Sequence, residues 1–183
     1  MNFVITLSVG TGPRGASRVG LYYAIYVSMQ YDVIFLDLSK AFDSVPHERL
    51  LLKLNRYGID GQLHQWFRNF LTNRQQRVLI RGSYSEWSPV ISGVPQGSIL
   101  GPIMFLIYVN DIPNIITSTA KLFADDTKIY RQINNVEDSI ALQSDLATLD
   151  LWADCWQVKF NPIKCEVIIK TNVPHSTKSR VLS

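Results

Sequence analysis

Two adjacent aspartates, Asp125 and Asp126, interrupt an otherwise apolar stretch, Leu122-Phe123-Ala124-Asp125-Asp126-Thr127-Lys128-Ile129-Tyr130. The flanking apolar residues predict a β-hairpin with both aspartates in its two-residue turn, where Asp tolerates unusual dihedrals. Two like charges on a tight turn repel. They also lose solvation when the flanking strands are buried, so folding alone gives no reason to put them there. Taken alone, the dipeptide is better explained as a plain surface turn, since Asp is common in turns. A third carboxylate changes the weighing: Asp37 closes the apolar run from Tyr31 to Leu38, which reads as a buried central strand. If the two strands are neighbours, three carboxylates converge at one sheet edge. Hard oxygen donors with no histidine among them suit magnesium rather than zinc. Two magnesium ions about 4 Å apart would activate an attacking oxygen and stabilise the leaving one in phosphoryl transfer.

The elements that must position these carboxylates follow from periodicity. Pro46 opens a helix with Leu50, Leu54 and Tyr57 on one face, ending at Gly58. Asp60 caps a second helix, where Leu63, Trp66, Phe67, Phe70 and Leu71 form a core stripe. Gln76 to Ile80 and Tyr84 to Ile91 read as a hairpin across Gly82-Ser83. The Gly93-Val94-Pro95-Gln96-Gly97-Ser98 loop permits close backbone approach, and Ser98 caps a helix to about Asn110. That helix is apolar on all sides and is expected in the core. Asn135 caps a long helix that buries Leu142, Leu146, Leu149, Ala153 and Trp156, and Cys165 to Lys170 forms a last strand. Leu21 to Met29 reads as a short helix. The order implies an α+β fold: an antiparallel sheet with helices packed on one side.

Composition sets the class. With 183 residues, 46% of them hydrophobic and 18% charged, the chain can bury a core and is not disordered. The net charge of +3 is unevenly spread. Arg49, Lys53, Arg56, Arg68, Arg74, Arg77 and Arg81 fall together, and the balance turns acidic from Asp125 to Asp154. A basic stretch beside an acidic one suits a polyanion partner and a metal centre; two solvated helix faces explain it as well. Cys155 and Cys165 make no disulfide framework, and a reducing intracellular compartment is the default. The longest apolar run, Ile99 to Val109, is too short for a bilayer. Phe3 to Val9 lacks the preceding basic residues of a signal peptide, so neither a membrane nor secretion is expected.

Three blocks carry a family resemblance. Phe35-Leu36-Asp37-Leu38-Ser39-Lys40-Ala41-Phe42-Asp43-Ser44-Val45, then Gly93-Val94-Pro95-Gln96-Gly97-Ser98-Ile99-Leu100-Gly101-Pro102, then Phe123-Ala124-Asp125-Asp126 resemble successive motifs of reverse transcriptases. Those of non-LTR retrotransposons match best. The resemblance runs from about Tyr31 to Lys170. It implies a polymerase palm with partial fingers and no thumb over residues 31–171, after a poorly specified lead-in (1–30) and before a polar tail (172–183). It also implies that Asp37 and Asp125 are the principal ligands of two Mg2+ ions, with Asp126 a weaker ligand. Phe42 would lie under the sugar of the incoming nucleotide and exclude a 2′-hydroxyl. Gln96 and Gly97 would lie against the template base and incoming nucleotide, and Lys164 would stabilise or protonate the departing pyrophosphate. Arg74, Arg77 and Arg81 could then track template phosphates.

The implied activity is DNA synthesis on an RNA template, with a DNA primer and deoxynucleoside triphosphates as partners. Family members also carry longer fingers and a helical thumb, whose positioning supplies much of the rate. Two hypotheses therefore stand together: an RNA-directed DNA polymerase domain, and a catalytically silent remnant that at most binds nucleic acid or a protein. A palm-like nucleotidyl cyclase, working without a template, has no need of the Gly93 to Pro102 loop or of Phe42.

Overall fold

The computed structural model describes residues 30–169 and 179–180, which group into two compact units. The lead-in, with the short helix expected over Leu21 to Met29, and most of the tail lie outside the described residues.

The first unit holds residues 30–38, 112–152, 160–169 and 179–180. Its antiparallel sheet is built from β1 (Tyr31–Asp37), β6 (Thr119–Phe123), β7 (Asp126–Gln132), β8 (Glu166–Ile169) and β9 (Ser179–Arg180), in the order β6-β7-β1-β8-β9. One ladder row sets the register: Ile34 opposes Ile129 on one side and Val167 on the other, and all three are fully buried. Burying an aliphatic side chain contributes about 1.5–3 kcal/mol, whereas like charges opposed across strands cost at most about 1 kcal/mol. The apolar row therefore wins. A one-residue slip would turn every one of these side chains to the other face.

That register corrects the expected turn. Thr127 and Ile129 must face inward, so Asp126 is already the first residue of β7, and the turn is Ala124-Asp125. Ala124 takes the positive φ, 54°, an unfavourable conformation for an L-residue.

Helix α5 (Val136–Trp156) is capped as expected, the Asp138 N–H donating to Asn135 Oδ1 at 2.9 Å. Its Leu142, Leu146 and Leu149 are buried, and so is Asp145. Asp145 accepts the backbone N–H groups of Thr117 and Ser118, each at 2.8 Å, and the Thr117 hydroxyl. Burial acts to raise its pKa, but these hydrogen bonds outweigh burial and hold the carboxyl below its ordinary value. A lowered folded pKa adds stability above the unfolded value near 4, which is lost as pH falls through the folded value. Asp145→Ala leaves two donors without an acceptor and is expected to cost about 2–4 kcal/mol in urea unfolding. Asp145→Asn should recover part of the loss; no change in midpoint for the alanine variant would refute the clamp.

The second unit holds residues 39–111 and 153–159. Here lie α1 (Ala41–Ser44), α2 (His47–Arg56), α3 (Gly61–Leu71), four short strands and α4 (Leu100–Val109). The core is Leu50, Leu51, Leu54, Phe67, Leu71, Met104, Phe105 and Tyr108. The expected hairpin is present as two short ladders, β2 (Gln75–Gln76) with β5 (Ser88–Pro89) and β3 (Leu79–Ile80) with β4 (Ser83–Tyr84). Its turn is Arg81-Gly82, one residue earlier than expected; both residues take positive φ (48° and 84°), which only glycine adopts freely.

Four expectations fail here for physical reasons. Asp60 sits at the N-cap of α3 but makes no side-chain cap bond. Trp66 is half exposed and stacks on Phe70 at 5.3 Å. Helix α4 buries Gly101, Met104, Phe105 and Tyr108, but Ile103 and Leu106 on its other side remain about half exposed. Lys53 is no part of a basic surface. It is 2% exposed, donates to the Tyr108 carbonyl, pairs with Asp111 at 2.6 Å and lies 4.0 Å over the Trp156 ring.

Candidate active site

The inward positions of β1 and β7 determine where the carboxylates go. With Ile34, Leu36, Thr127 and Ile129 facing in, Asp37 and Asp126 share the opposite face, and the register opposes them directly. Opposed residues of an antiparallel pair have Cα atoms about 4.5–5.5 Å apart and side chains on one side. Asp125 is the next residue back, in the turn. Phe123 closes the same row against Asp126 and is 82% exposed, so this end of the face is open to solvent.

Asp37 is partly buried, whereas Asp126 is exposed. The Asp37 Oδ2 is buried and has no hydrogen-bond partner among the described residues, while Oδ1 takes Lys164 Nζ at 3.1 Å. A local turn delivers that lysine. The Asn161 side chain accepts the Ile163 N–H at 3.1 Å, the N–H groups of Lys164 and Cys165 bond the Asn161 carbonyl, and the Asn161 N–H bonds the Asp37 carbonyl at 2.8 Å. Asn suits such a turn because its side chain imitates a backbone carbonyl. Lys164 is well exposed, so the pair adds little stability.

The donor set fits magnesium better than a preformed cage metal. No group of three or more His, Cys, Asp or Glu among the described residues is arranged to hold an ion by itself. Magnesium is held by one or two carboxylates and completes its shell with waters and substrate phosphates. An orphaned carboxylate oxygen on Asp37, opposite a second carboxylate, meets that need.

The second unit places the remaining residues. Phe42 stacks on Phe105 with ring centroids 4.7 Å apart, which fixes the ring plane. Gln96 donates to Asp43 Oδ1 at 2.7 Å. Gly93 lies against the backbone of Asp43, where a Cβ would come within 2.9 Å, at a φ of +94°. Gly97, at φ +80°, has open space where a side chain would be. Lys40, Asp43, Arg74 and Gln96 line a cleft of about 860 Å³. Asp43 and Lys40 carry no role that the sequence motifs assign. The short DLSKAFD span that holds both was the available signal, since it lies within one helical turn of Phe42.

Comparison with known proteins identifies the family and the fold. The family described as "Reverse transcriptase (RNA-dependent DNA polymerase)" matches residues 28–182. The RNA-directed DNA polymerase from mobile element jockey of Drosophila melanogaster is 33% identical over 147 residues, 75% of this chain and 16% of that protein. The jockey polymerase of Drosophila funebris is 35% identical over the same length and share of each chain. A Pol polyprotein from the type-1 retrotransposable element R2 of Popillia japonica is 27% identical over 156 residues, 78% of this chain and 25% of that protein. The chain thus spans only about a sixth of the length of the jockey polymerases. Among solved structures, an apo telomerase from Candida Tropicalis truncated from its C-terminal domain superposes with a TM-score of 0.62 at 13% identity, covering 86% of this chain and 34% of that one. That likeness is one of fold, an α+β architecture on an antiparallel sheet. The chain belongs to the reverse transcriptase (RNA-dependent DNA polymerase) family and is related to the enzymes of non-LTR retrotransposons.

Proposed function

We propose that this chain is a polymerase palm that carries out template-directed DNA synthesis on an RNA template. The observation that carries the reading is the Asp37–Asp126 pair: two carboxylates opposed on an open face, one with an orphaned oxygen. Two Mg2+ ions bound by Asp37, Asp125 and Asp126 would supply an activated primer oxygen and charge stabilisation at the leaving group. Everything else falls to the protein's own side chains. Asp37 and Asp125 are the principal ligands, and Asp126 supports them. Lys164 neutralises or protonates the departing pyrophosphate, a role supported by its 3.1 Å contact with Asp37.

Phe42, Gln96 and Gly97 handle the nucleotide and template. The stack on Phe105 supports a Phe42 ring rigid enough to reject a 2′-hydroxyl. The bond to Asp43 supports a fixed Gln96, and the open space at Gly97 supports close approach of a base. Lys40 gives the cleft beside Gln96 positive charge of the kind a triphosphate requires. Arg74, Arg77 and Arg81 are exposed on the hairpin and meet template phosphates. The substrates are accordingly an RNA template, a DNA primer and deoxynucleoside triphosphates.

Primer extension on an RNA template with magnesium tests the reading. The unsubstituted chain should incorporate deoxynucleotides and Asp125→Ala should not. Incorporation that survives Asp125→Ala removes the two-metal role. A well-folded unsubstituted chain without incorporation favours a silent, nucleic-acid-binding remnant.

A further inference from the structure

One row behind the acid pair, the same open face carries a second arrangement that folding does not explain. Lys121 of β6 directly opposes Lys128 of β7. Like charges opposed across strands destabilise a sheet. Neither lysine has an ion pair among the described residues. The carboxylate that shares their row is Glu166, which lies beyond Phe35 on β8. Lys128 Nζ sits 5.5 Å over the Phe35 ring, so the aromatic face holds the ammonium on this side of the sheet.

Two residues along a strand advance about 6.6 Å, which sets the lysine row next to Asp37 and Asp126 on one face. A ligand that suits both rows is anionic along its length and ends in a group handled by carboxylate-bound cations. A nucleic-acid strand meets both conditions. We propose that Lys121 and Lys128 form a phosphate clamp that holds a backbone phosphate of the strand being extended and so positions its end at the acid pair. They are positioning residues, and the proposal rests on the polymerase reading above. If the lysines merely neutralised the acidic turn, they would be expected to sit within ion-pairing distance of Asp125 or Asp126, and they do not.

The test needs no turnover. Binding of a labelled DNA primer annealed to an RNA template is followed by fluorescence anisotropy in EDTA between about 50 and 200 mM salt. Each phosphate contact contributes about 0.9 to the slope of log affinity against log salt. The double variant Lys121→Gln/Lys128→Gln should lower the slope by about 0.9 and each single variant by no more than that, while Lys128→Arg keeps it. Because the substitution relieves a repulsion, the double variant should melt no lower than the parent, which excludes unfolding as the cause. If the unsubstituted chain binds and the double variant keeps the full slope, the clamp is overturned and the polymerase reading stands. No binding by the unsubstituted chain overturns both.

Discussion

Replacing Asp37 with asparagine is expected to lower RNA-templated incorporation of deoxynucleotides by about 10³-fold without weakening the fold. Asparagine keeps the volume of aspartate but loses its charge and one ligand oxygen. Charge stabilisation by a bound cation is worth several kcal/mol, and each 1.36 kcal/mol is tenfold in rate, which gives the magnitude. Two stability effects oppose each other. Relief of repulsion with Asp126 gains about 0.2–1 kcal/mol, and loss of the exposed Lys164 pair costs about as much. Asp126→Asn should cost less activity, since that residue is proposed as the weaker ligand. Single-turnover primer extension paired with urea midpoints checks both. Activity within tenfold of the parent for Asp37→Asn, at unchanged stability, would remove Asp37 from the chemistry.

The second large effect concerns stability alone. Lys53→Ala should destabilise the chain by about 3 kcal/mol, because it removes a buried cation and leaves the part-buried Asp111 and the Tyr108 carbonyl without this donor. Lys53→Met with Asp111→Leu should recover most of the loss, since a well-packed apolar pair replaces a buried ionic one at little cost. The pH dependence has a definite sign. Burial pushes the Lys53 pKa down against the opposing pull of Asp111. Between the lowered folded pKa and the ordinary lysine value the unfolded chain binds more protons, so this group makes stability rise with pH in that window. A Lys53→Ala chain with the parent's urea midpoint would refute the account of this core.

How far the chain could be read in advance depends on which property carried the information. The continuous apolar run before Asp37 and the alternation after Asp126 specify two strands; their pairing comes from the fold, and the apolar row across them puts both carboxylates on one face. The turn was displaced by one residue because Asp favours turns at either position. The decision came from the inward positions of Thr127 and Ile129, not from the acidic pair. Apolarity all round helix α4 says nothing about which side is covered, and Ile103 and Leu106 stay half exposed. Lys53 belongs to a basic run by composition, but it falls one helical turn after Leu50 and beside Leu54, on the buried face of α2. Lys164 lies 127 residues from Asp37, and no periodicity announces their contact. Only the family resemblance singled it out. The Lys121–Lys128 opposition was hidden for a related reason: it appears only once the hairpin register is known.

The central claim is that Asp37 and the acidic turn hold divalent cations together. Manganese, which accepts the same oxygen donors, reports this directly, because the electron paramagnetic resonance signal of the free ion falls as it binds. Titrated with Mn2+ in the presence of a primer–template duplex and a deoxynucleoside triphosphate, the unsubstituted chain should remove free ion from solution. Asp37→Asn and Asp125→Asn should each largely abolish that uptake, measured against duplex and nucleotide alone. Equal uptake by the parent and both variants would contradict the shared site.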